Sequence, residues 1–245
     1  MSLSNQEISQ QAGEYLDTAL DFLMRKIEKK AVSAEGITAP HMKEDAEFVA
    51  HELTRVGVDA QVIQSRNADG TPGAWEVVGS KIVDPSAKTV LLYAHHDVQP
   101  APNEDGVWQT DPFKGTIKGD RLYGRGASDD GSGIAIHLGA LSILGEKLGV
   151  NIRFFIEGEE EMGSDSFIPF VKDHPEFFDA DIMIVADSGN WSAEIPSLTT
   201  SLRGNTNIDV ELRVMDSPRH SGAFGGPILD SHTLAAMLIA RMYDA

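Results

Sequence analysis

Three short, continuous apolar segments constrain the fold of this sequence more than any other feature. They are residues 90–94, 152–156 and 181–186. Runs of this length are typical of strands that are buried on both faces of a parallel sheet. Residues 131–148 and 164–172, which lie between them, have patterns that predict helices. The alternation of strand and helix indicates an α/β domain with a mostly parallel sheet flanked by helices.

The rest of the chain predicts further elements and a second domain. Before residue 200 we expect a helix capped by Ser4 or Asn5 and ending near residue 30, a helix over 39–55, strands over 59–64 and 75–83, and a hairpin over 115–125. Residues 206–214 alternate polar and apolar residues, which predicts a strand with one solvated face, and 231–243 predict a helix. We therefore expect a first domain over residues 1–204. Residues 205–245 would begin a smaller α+β domain that is too short to bury its own core.

Composition excludes several kinds of partner and ligand. The chain has 38 acidic and 20 basic residues and a formal net charge of −18, which repels nucleic acid phosphates and anionic lipids, so we expect neither nucleic acid nor membrane as a partner. The N-terminal 32 residues lack an apolar signal-like segment, and the expected location is the cytoplasm. Because the sequence has no cysteine, a bound metal must be held by His, Asp and Glu, which suits zinc, manganese or magnesium.

Potential metal ligands follow each of the three apolar segments. They are His95, His96 and Asp97 after the first, Glu157, Glu159, Glu160 and Glu161 after the second, and Asp187 after the third. A fourth acidic cluster, Asp129 and Asp130, stands at the start of the predicted helix 131–148. Ligands of open parallel sheets collect beyond the carboxyl ends of the strands, so we expect all four clusters at one edge.

These residue types suit a pair of divalent ions with a water between them. Such a site needs a bridging carboxylate and terminal His or carboxylate ligands. Asp97 is placed to orient His95 through the other ring nitrogen, and in the pair Glu160 and Glu161 one glutamate can bind metal while the other acts as general base. Taken singly, the signals have simpler explanations, since an Asp pair before a helix is often a cap and a run of glutamates is often solvated.

Five motifs together resemble the M20 metallopeptidases. They are YAHHDVQP at 93–100, LYGRGASDDG at 122–131, EGEEEMGS at 157–164, ADSGN at 186–190 and RHSGAFGG at 219–226. The first and last of these are more similar to the dipeptidase and carnosinase branch than to aminoacylases or desuccinylases. The resemblance implies a zinc-exopeptidase-like catalytic domain followed by the start of a lid or dimerisation domain, and a cytoplasmic enzyme that cleaves dipeptides or short peptides.

The resemblance also assigns roles to particular residues. It implies two divalent ions, zinc first with manganese or cobalt as alternatives. One ion would be bound by His95 and Asp187 and the other by Glu161, with Asp129 bridging both. Glu160 would be the general base acting on the bridging water, and Asp97 would orient His95. It further implies a cis peptide between Asp129 and Asp130, and a histidine, His220, that reaches the substrate in the partner subunit of a homodimer.

Two alternatives to a dipeptidase remain open from the sequence. The same metal chemistry serves an amidohydrolase that removes N-acyl groups from amino acids. Members of the resembled family are longer than this chain and supply a final His ligand after the lid, so the chain is also compatible with an inert fragment. The histidines at 51, 96, 137 and 174 match no ligand position, and we expect them to be structural.

Overall fold

The computed structural model describes residues 3–103 and 106–243 of the chain. The helices are α1 (Asn5–Glu28), α2 (Pro40–Arg55), α3 (Gly131–Leu144), α4 (Phe167–Asp173), α5 (Ser221–Phe224) and α6 (Ser231–Ala240). The strands are β1 (Asp59–Arg66), β2 (Pro72–Lys81), β3 (Thr89–His95), β4 (Thr116–Lys118), β5 (Arg121–Tyr123), β6 (Asn151–Glu157) and β7 (Ile182–Val185). The chain divides into two compact units, 1–197 and 198–245. The domain limits expected from the sequence stay a prediction.

A five-stranded mixed sheet organises the first unit, with strand order β1-β2-β6-β3-β7. β3 pairs in parallel with both β6 and β7, whereas β2 is antiparallel to both β1 and β6. Four strands therefore run in one direction and β2 alone opposes them. The prediction of an α/β fold with a mostly parallel sheet flanked by helices is confirmed. The expected hairpin is also present, as the separate pair β4 and β5.

Side-chain alternation along β6 divides the core between the two faces of the sheet. Phe154 and Ile156 are fully buried among residues of α1, α2 and α3, while Phe155 packs with Phe170 of α4 on the other face. Successive residues of a strand point to opposite faces, which explains why this strand is apolar throughout. Helices thus cover both faces of β6 and hold its carboxyl end in place.

The capping of α1 agrees with the sequence. The Ser4 hydroxyl accepts from the backbone N–H of Glu7 at 3.2 Å, and the Glu7 carboxylate accepts from the backbone N–H of Ser4 at 2.7 Å. This reciprocal capping box satisfies two N–H groups that have no partner within the helix. The predicted start at Ser4 or Asn5 is confirmed.

Two predicted burial patterns are wrong. β7 was expected to be buried on both faces, yet its four side chains are between 47% and 57% exposed. β7 is an edge strand whose single neighbour among the described residues is β3. The pattern that predicts helix 131–148 counts Ile136 among the apolar residues of its buried face, but Ile136 is 65% exposed. The buried face of α3 carries Ile134 and Leu138, and a residue two positions from each points away from that face.

The second unit contains less regular structure than the sequence predicts. The strand expected over 206–214 does not form, and this segment has no ladder partner among residues 198–243. Without a neighbouring strand, an alternating segment has no hydrogen-bonding partner for its backbone. α6 ends at Ala240, earlier than the predicted residue 243. None of the helices in the described ranges is both long and apolar enough to cross a bilayer.

Candidate metal centre

The register of the parallel strands brings the predicted ligand clusters to one edge of the sheet. His95 ends β3 directly beside Glu157, the last residue of β6. On the other side of β3, the backbone N–H of Ala186 donates to the carbonyl of Tyr93 at 3.0 Å, so Asp187 leaves the sheet at the same edge. The segments that follow β3, β6 and β7 therefore start at the same edge of the sheet, because the three strands are parallel.

His95 is buried, and its hydrogen bonds leave one ring nitrogen facing the acidic cluster. Its Nδ1 lies 3.0 Å from the backbone carbonyl of Asp97, which can only accept, so Nδ1 carries the hydrogen. Its Nε2 lies 2.9 Å from Oδ1 of Asp129 and 4.0 Å from Oε2 of Glu160. This orientation presents Nε2 as the donor atom for a cation.

Asp97 contacts more of the site than the sequence indicated. The sequence suggested that its carboxylate orients His95, and Oδ1 lies 3.3 Å from Nδ1 of that ring, slightly farther than the Asp97 carbonyl. The carboxylate also accepts the backbone N–H groups of Glu160 and Glu161, each at 3.1 Å. Asp97 therefore fixes the imidazole and the turn that carries both glutamates.

Five of the predicted site residues offer ligand atoms within one small region. One group is His95, Glu160 and Asp187, and the other is His95, Asp129 and Glu161; within each group the ligand atoms lie within 4.8 Å of one another. Glu160 belongs to the first group and Glu161 to the second. Their positions alone do not show which glutamate binds a metal and which acts as the base. That division of roles stays a prediction.

The chemistry of this donor set fits divalent cations. Four carboxylates surround a single imidazole, and among the described residues none of the four forms an ion pair with a lysine or arginine. Four carboxylates so close together repel one another, and one imidazole can offset only one of their charges, so a bound cation would stabilise the cluster. Nitrogen and oxygen donors without sulfur suit zinc, manganese or cobalt.

The carboxylates also set the protonation of the centre. Burial lowers the pKa of His95, but Asp97, Asp130 and Asp187 outweigh it and raise that pKa to about 10. Burial, together with the charges of Asp187 and Glu161, raises the pKa of Glu160 although His95 opposes this. A proton therefore occupies His95 at neutral pH when no metal competes for it.

Metal binding is expected to release a proton from His95. The imidazole must be neutral to act as a ligand, so its affinity for a metal should rise as pH increases from about 6 towards the His95 pKa of about 10. Zinc titration calorimetry at pH 7 in buffers of different ionisation enthalpy should show about one proton or more released. Binding without proton release would contradict this protonation state.

Asp130 holds the start of α3 against the end of β3. Its Oδ2 accepts the backbone N–H of His95 at 3.0 Å and its Oδ1 accepts that of Gly133 at 3.1 Å. A Cβ at Gly133 would lie 2.2 Å from Oδ1 of Asp130, so only glycine allows this contact. The peptide between Asp129 and Asp130 is cis, as the resemblance implied. Asp130 thus acts as a helix cap while its neighbour Asp129 faces His95.

A buried charged network beside the site was not found from the sequence. Lys26 of α1 lies 2.9 Å from Oδ2 of Asp45 in α2 and donates to the His96 carbonyl at 2.6 Å. Nδ1 of His96 lies 2.9 Å from Asp45, and its Nε2 lies 2.7 Å from the Trp75 carbonyl. His96 is structural, as expected. The one available signal was the position of Lys26 beside Ile27 on the buried face of α1.

The burial of two acids, Glu76 and Glu157, on the other side of the strand ends was also missed. Glu76 accepts the backbone N–H of Gly158 at 3.0 Å, and Tyr93 donates to Glu157 at 2.8 Å. Burial raises the pKa of both carboxyls, and the neighbouring Glu157 and Glu159 add to the effect at Glu76. The hydrogen bonds from Gly158 to Glu76 and from Tyr93 to Glu157 fix the backbone that follows β6. Runs of glutamate usually suggest a solvated surface, which is why their burial was not expected.

Four of the other histidines lie outside the cluster and have local contacts. His137 is buried, lies 3.0 Å from the Tyr93 carbonyl and meets Phe154 edge-on, as expected for a core residue. His51 and His174 lie at or near the surface. His220 is exposed in the second unit and caps α5, where its Nδ1 accepts the N–H of Gly222 at 3.1 Å. Its role towards a substrate stays a prediction.

Comparison with known proteins identifies the family. The chain is 34% identical over 82% of its length to a cysteinylglycine-S-conjugate dipeptidase of Corynebacterium striatum, and 40% identical over 66% to the β-Ala-His dipeptidase of Mus musculus. It spans 44% and 34% of those two proteins. Its structure matches human carnosine dipeptidase 1 with a TM-score of 0.66 at 28% identity, over 76% of this chain and 41% of that one. The expected resemblance to the dipeptidase branch is confirmed. Residues 91–230, more than half of the chain, match the profile of peptidase family M20/M25/M40, and the chain belongs to that family.

Proposed function

We propose that the protein is a metallodipeptidase that hydrolyses the amide bond of dipeptides or short peptides. The observation that supports this most is the cluster of His95 and four carboxylates at the carboxyl ends of three parallel strands, where no lysine or arginine of the described ranges pairs with the carboxylates. The relatives named as dipeptidases support the same choice of substrate class.

The proposed ligands divide between two divalent ions. His95 and Asp187 would hold one ion and Glu161 the other, with Asp129 shared between them. Zinc is the first candidate, with manganese and cobalt as alternatives. Bound ions of this kind supply Lewis acidity to the scissile carbonyl and lower the pKa of the attacking water.

Glu160 is the proposed general base. Its carboxylate lies 4.0 Å from Nε2 of His95, and burial raises its pKa above the ordinary value, which makes the carboxylate a stronger proton acceptor. It would take a proton from the attacking water and deliver it to the leaving amine. Asp97 keeps Glu160 in place by accepting its backbone N–H.

The proposal also covers the second unit, the binding partners and the cellular location. His220 would contact the substrate or its developing oxyanion, and residues 205–245 would belong to a lid through which two subunits form a homodimer. The peptide substrate would be the main small-molecule partner. The cysteine-free sequence is compatible with the proposed cytoplasmic location.

Substrate assays separate this function from a deacylase of the same family. Zinc- and manganese-loaded protein should release amino acids from Cys-Gly and β-Ala-His, at a rate that falls when a chelator is added. N-acetyl amino acids should react much more slowly. Faster hydrolysis of N-acyl amino acids than of any dipeptide would instead support the amidohydrolase.

A further inference from the structure

Gln99 lies outside the proposed ligand set but contacts one of the ligands directly. Its side-chain Nε2 donates to Oε2 of Glu161 at 2.9 Å and to the backbone carbonyl of Glu161 at 3.1 Å. No other side chain in the described ranges hydrogen-bonds to the Glu161 carboxylate. This contact joins the segment after β3 to the turn after β6.

The backbone leading to Gln99 is anchored. The neighbouring Val98 is buried, donates its N–H to the Ala31 carbonyl at 2.8 Å and forms a bridge with Val32. The Asp97 carboxylate accepts the backbone N–H of Glu161. Two residues of one anchored segment therefore hold Glu161 at its N–H, its carbonyl and its carboxylate.

A neutral amide suits this position. A carboxylate has two oxygens with about four acceptor sites, so one hydrogen bond to Oε2 leaves room for a cation. A lysine there would neutralise the charge that a metal requires, whereas an amide orients the carboxylate and leaves its charge in place. Partners that orient a ligand in this way typically contribute 10- to 100-fold in metal affinity.

We propose that Gln99 is a positioning residue that holds the Glu161 carboxylate ready for a divalent ion. This inference rests on the proposed function, because it takes Glu161 to be a metal ligand. It adds a residue that contacts the ligand and neither the metal nor the substrate.

Zinc competition with a chromophoric chelator tests the proposal on three proteins: wild type, Gln99→Leu and Gln10→Leu. Gln10 is a matched control, since its Nε2 also donates to an exposed glutamate, Glu14, at 2.9 Å, but on α1. We expect Gln99→Leu to weaken zinc binding by roughly 10-fold and Gln10→Leu to leave it unchanged. The melting temperature without metal should stay the same in both variants, because the two glutamines are exposed.

The visible spectrum of the cobalt-loaded protein adds a readout that loss of stability does not produce. A displaced Glu161 should alter the cobalt bands of Gln99→Leu but not those of Gln10→Leu. Zinc affinity in Gln99→Leu that equals or exceeds wild type, while Asp129→Ala loses zinc, would overturn the role of Gln99 alone. Absence of zinc binding by the wild-type protein would overturn the proposed function as well.

Discussion

Replacing Glu160 with Gln is expected to reduce dipeptide hydrolysis by roughly 10²- to 10⁴-fold while zinc remains bound. The amide has nearly the shape of the carboxylate but cannot take up the proton of the attacking water. The backbone N–H of residue 160 would still donate to Asp97, so the turn should keep its position. Steady-state kinetics with Cys-Gly, together with zinc content by mass spectrometry, measure both effects.

Glu161→Gln is the matched comparison for Glu160→Gln. The two glutamates are adjacent, share the Asp97 contact and belong to different groups of candidate ligands. We expect the second variant to lose zinc and activity together. If Glu160→Gln lost zinc and Glu161→Gln kept it, the roles of the two glutamates would have to be exchanged.

Replacing Lys26 with Met is expected to destabilise the protein by about 3–5 kcal/mol, the usual effect of removing one partner of a buried ion pair. Lys26 is 3% exposed and Asp45 is fully buried. Burial raises the pKa of Asp45, but Lys26 and His96 outweigh it and hold that pKa below its ordinary value. Without Lys26 the Asp45 carboxylate and the His96 carbonyl lose a charged donor in the interior. Urea unfolding followed by circular dichroism measures the change.

Lys43→Met is the control for Lys26→Met. Lys43 pairs with Glu47 at 3.6 Å, but both side chains are about half exposed. We expect Lys43→Met to lower the free energy of unfolding by less than about 1 kcal/mol, as for most surface ion pairs. Adding Asp45→Leu to Lys26→Met should recover part of the lost stability, because it removes the unpaired charge. Equal losses of stability in Lys26→Met and Lys43→Met would show that the buried ion pair stabilises the fold no more than an exposed one does.

The sequence was sufficient to predict the mostly parallel sheet and the clustering of the candidate ligands at one of its edges. The runs before His95 and Glu157 are apolar because both faces of β3 and β6 are buried, and parallel strands end at the same edge whatever their separation in the chain. The clustering of the ligand residues follows from that topology. The exposure of β7 was not predictable, because it depends on what lies beside the strand.

Contacts between distant residues were the part that local patterns did not reveal. Lys26, Asp45 and His96 come from α1, α2 and the residue after β3, and the local pattern around each one does not indicate its partners. Their pairing depends on how the helices pack on the sheet. The same holds for Gln99, whose contact with Glu161 spans 62 positions in sequence. Periodicity predicts which face of an element is buried but not which polar side chains meet there.

Anomalous diffraction from crystals soaked in zinc would show whether two ions bind where the candidate ligands cluster. Two peaks about 3.5–4 Å apart are expected. Nε2 of His95 and an oxygen of Asp187 should lie about 2.0–2.2 Å from one peak and an oxygen of Glu161 at that distance from the other, with Asp129 touching both. Zinc bound elsewhere, with His95 and Asp129 still hydrogen-bonded to each other at the saturating metal concentration, would contradict it.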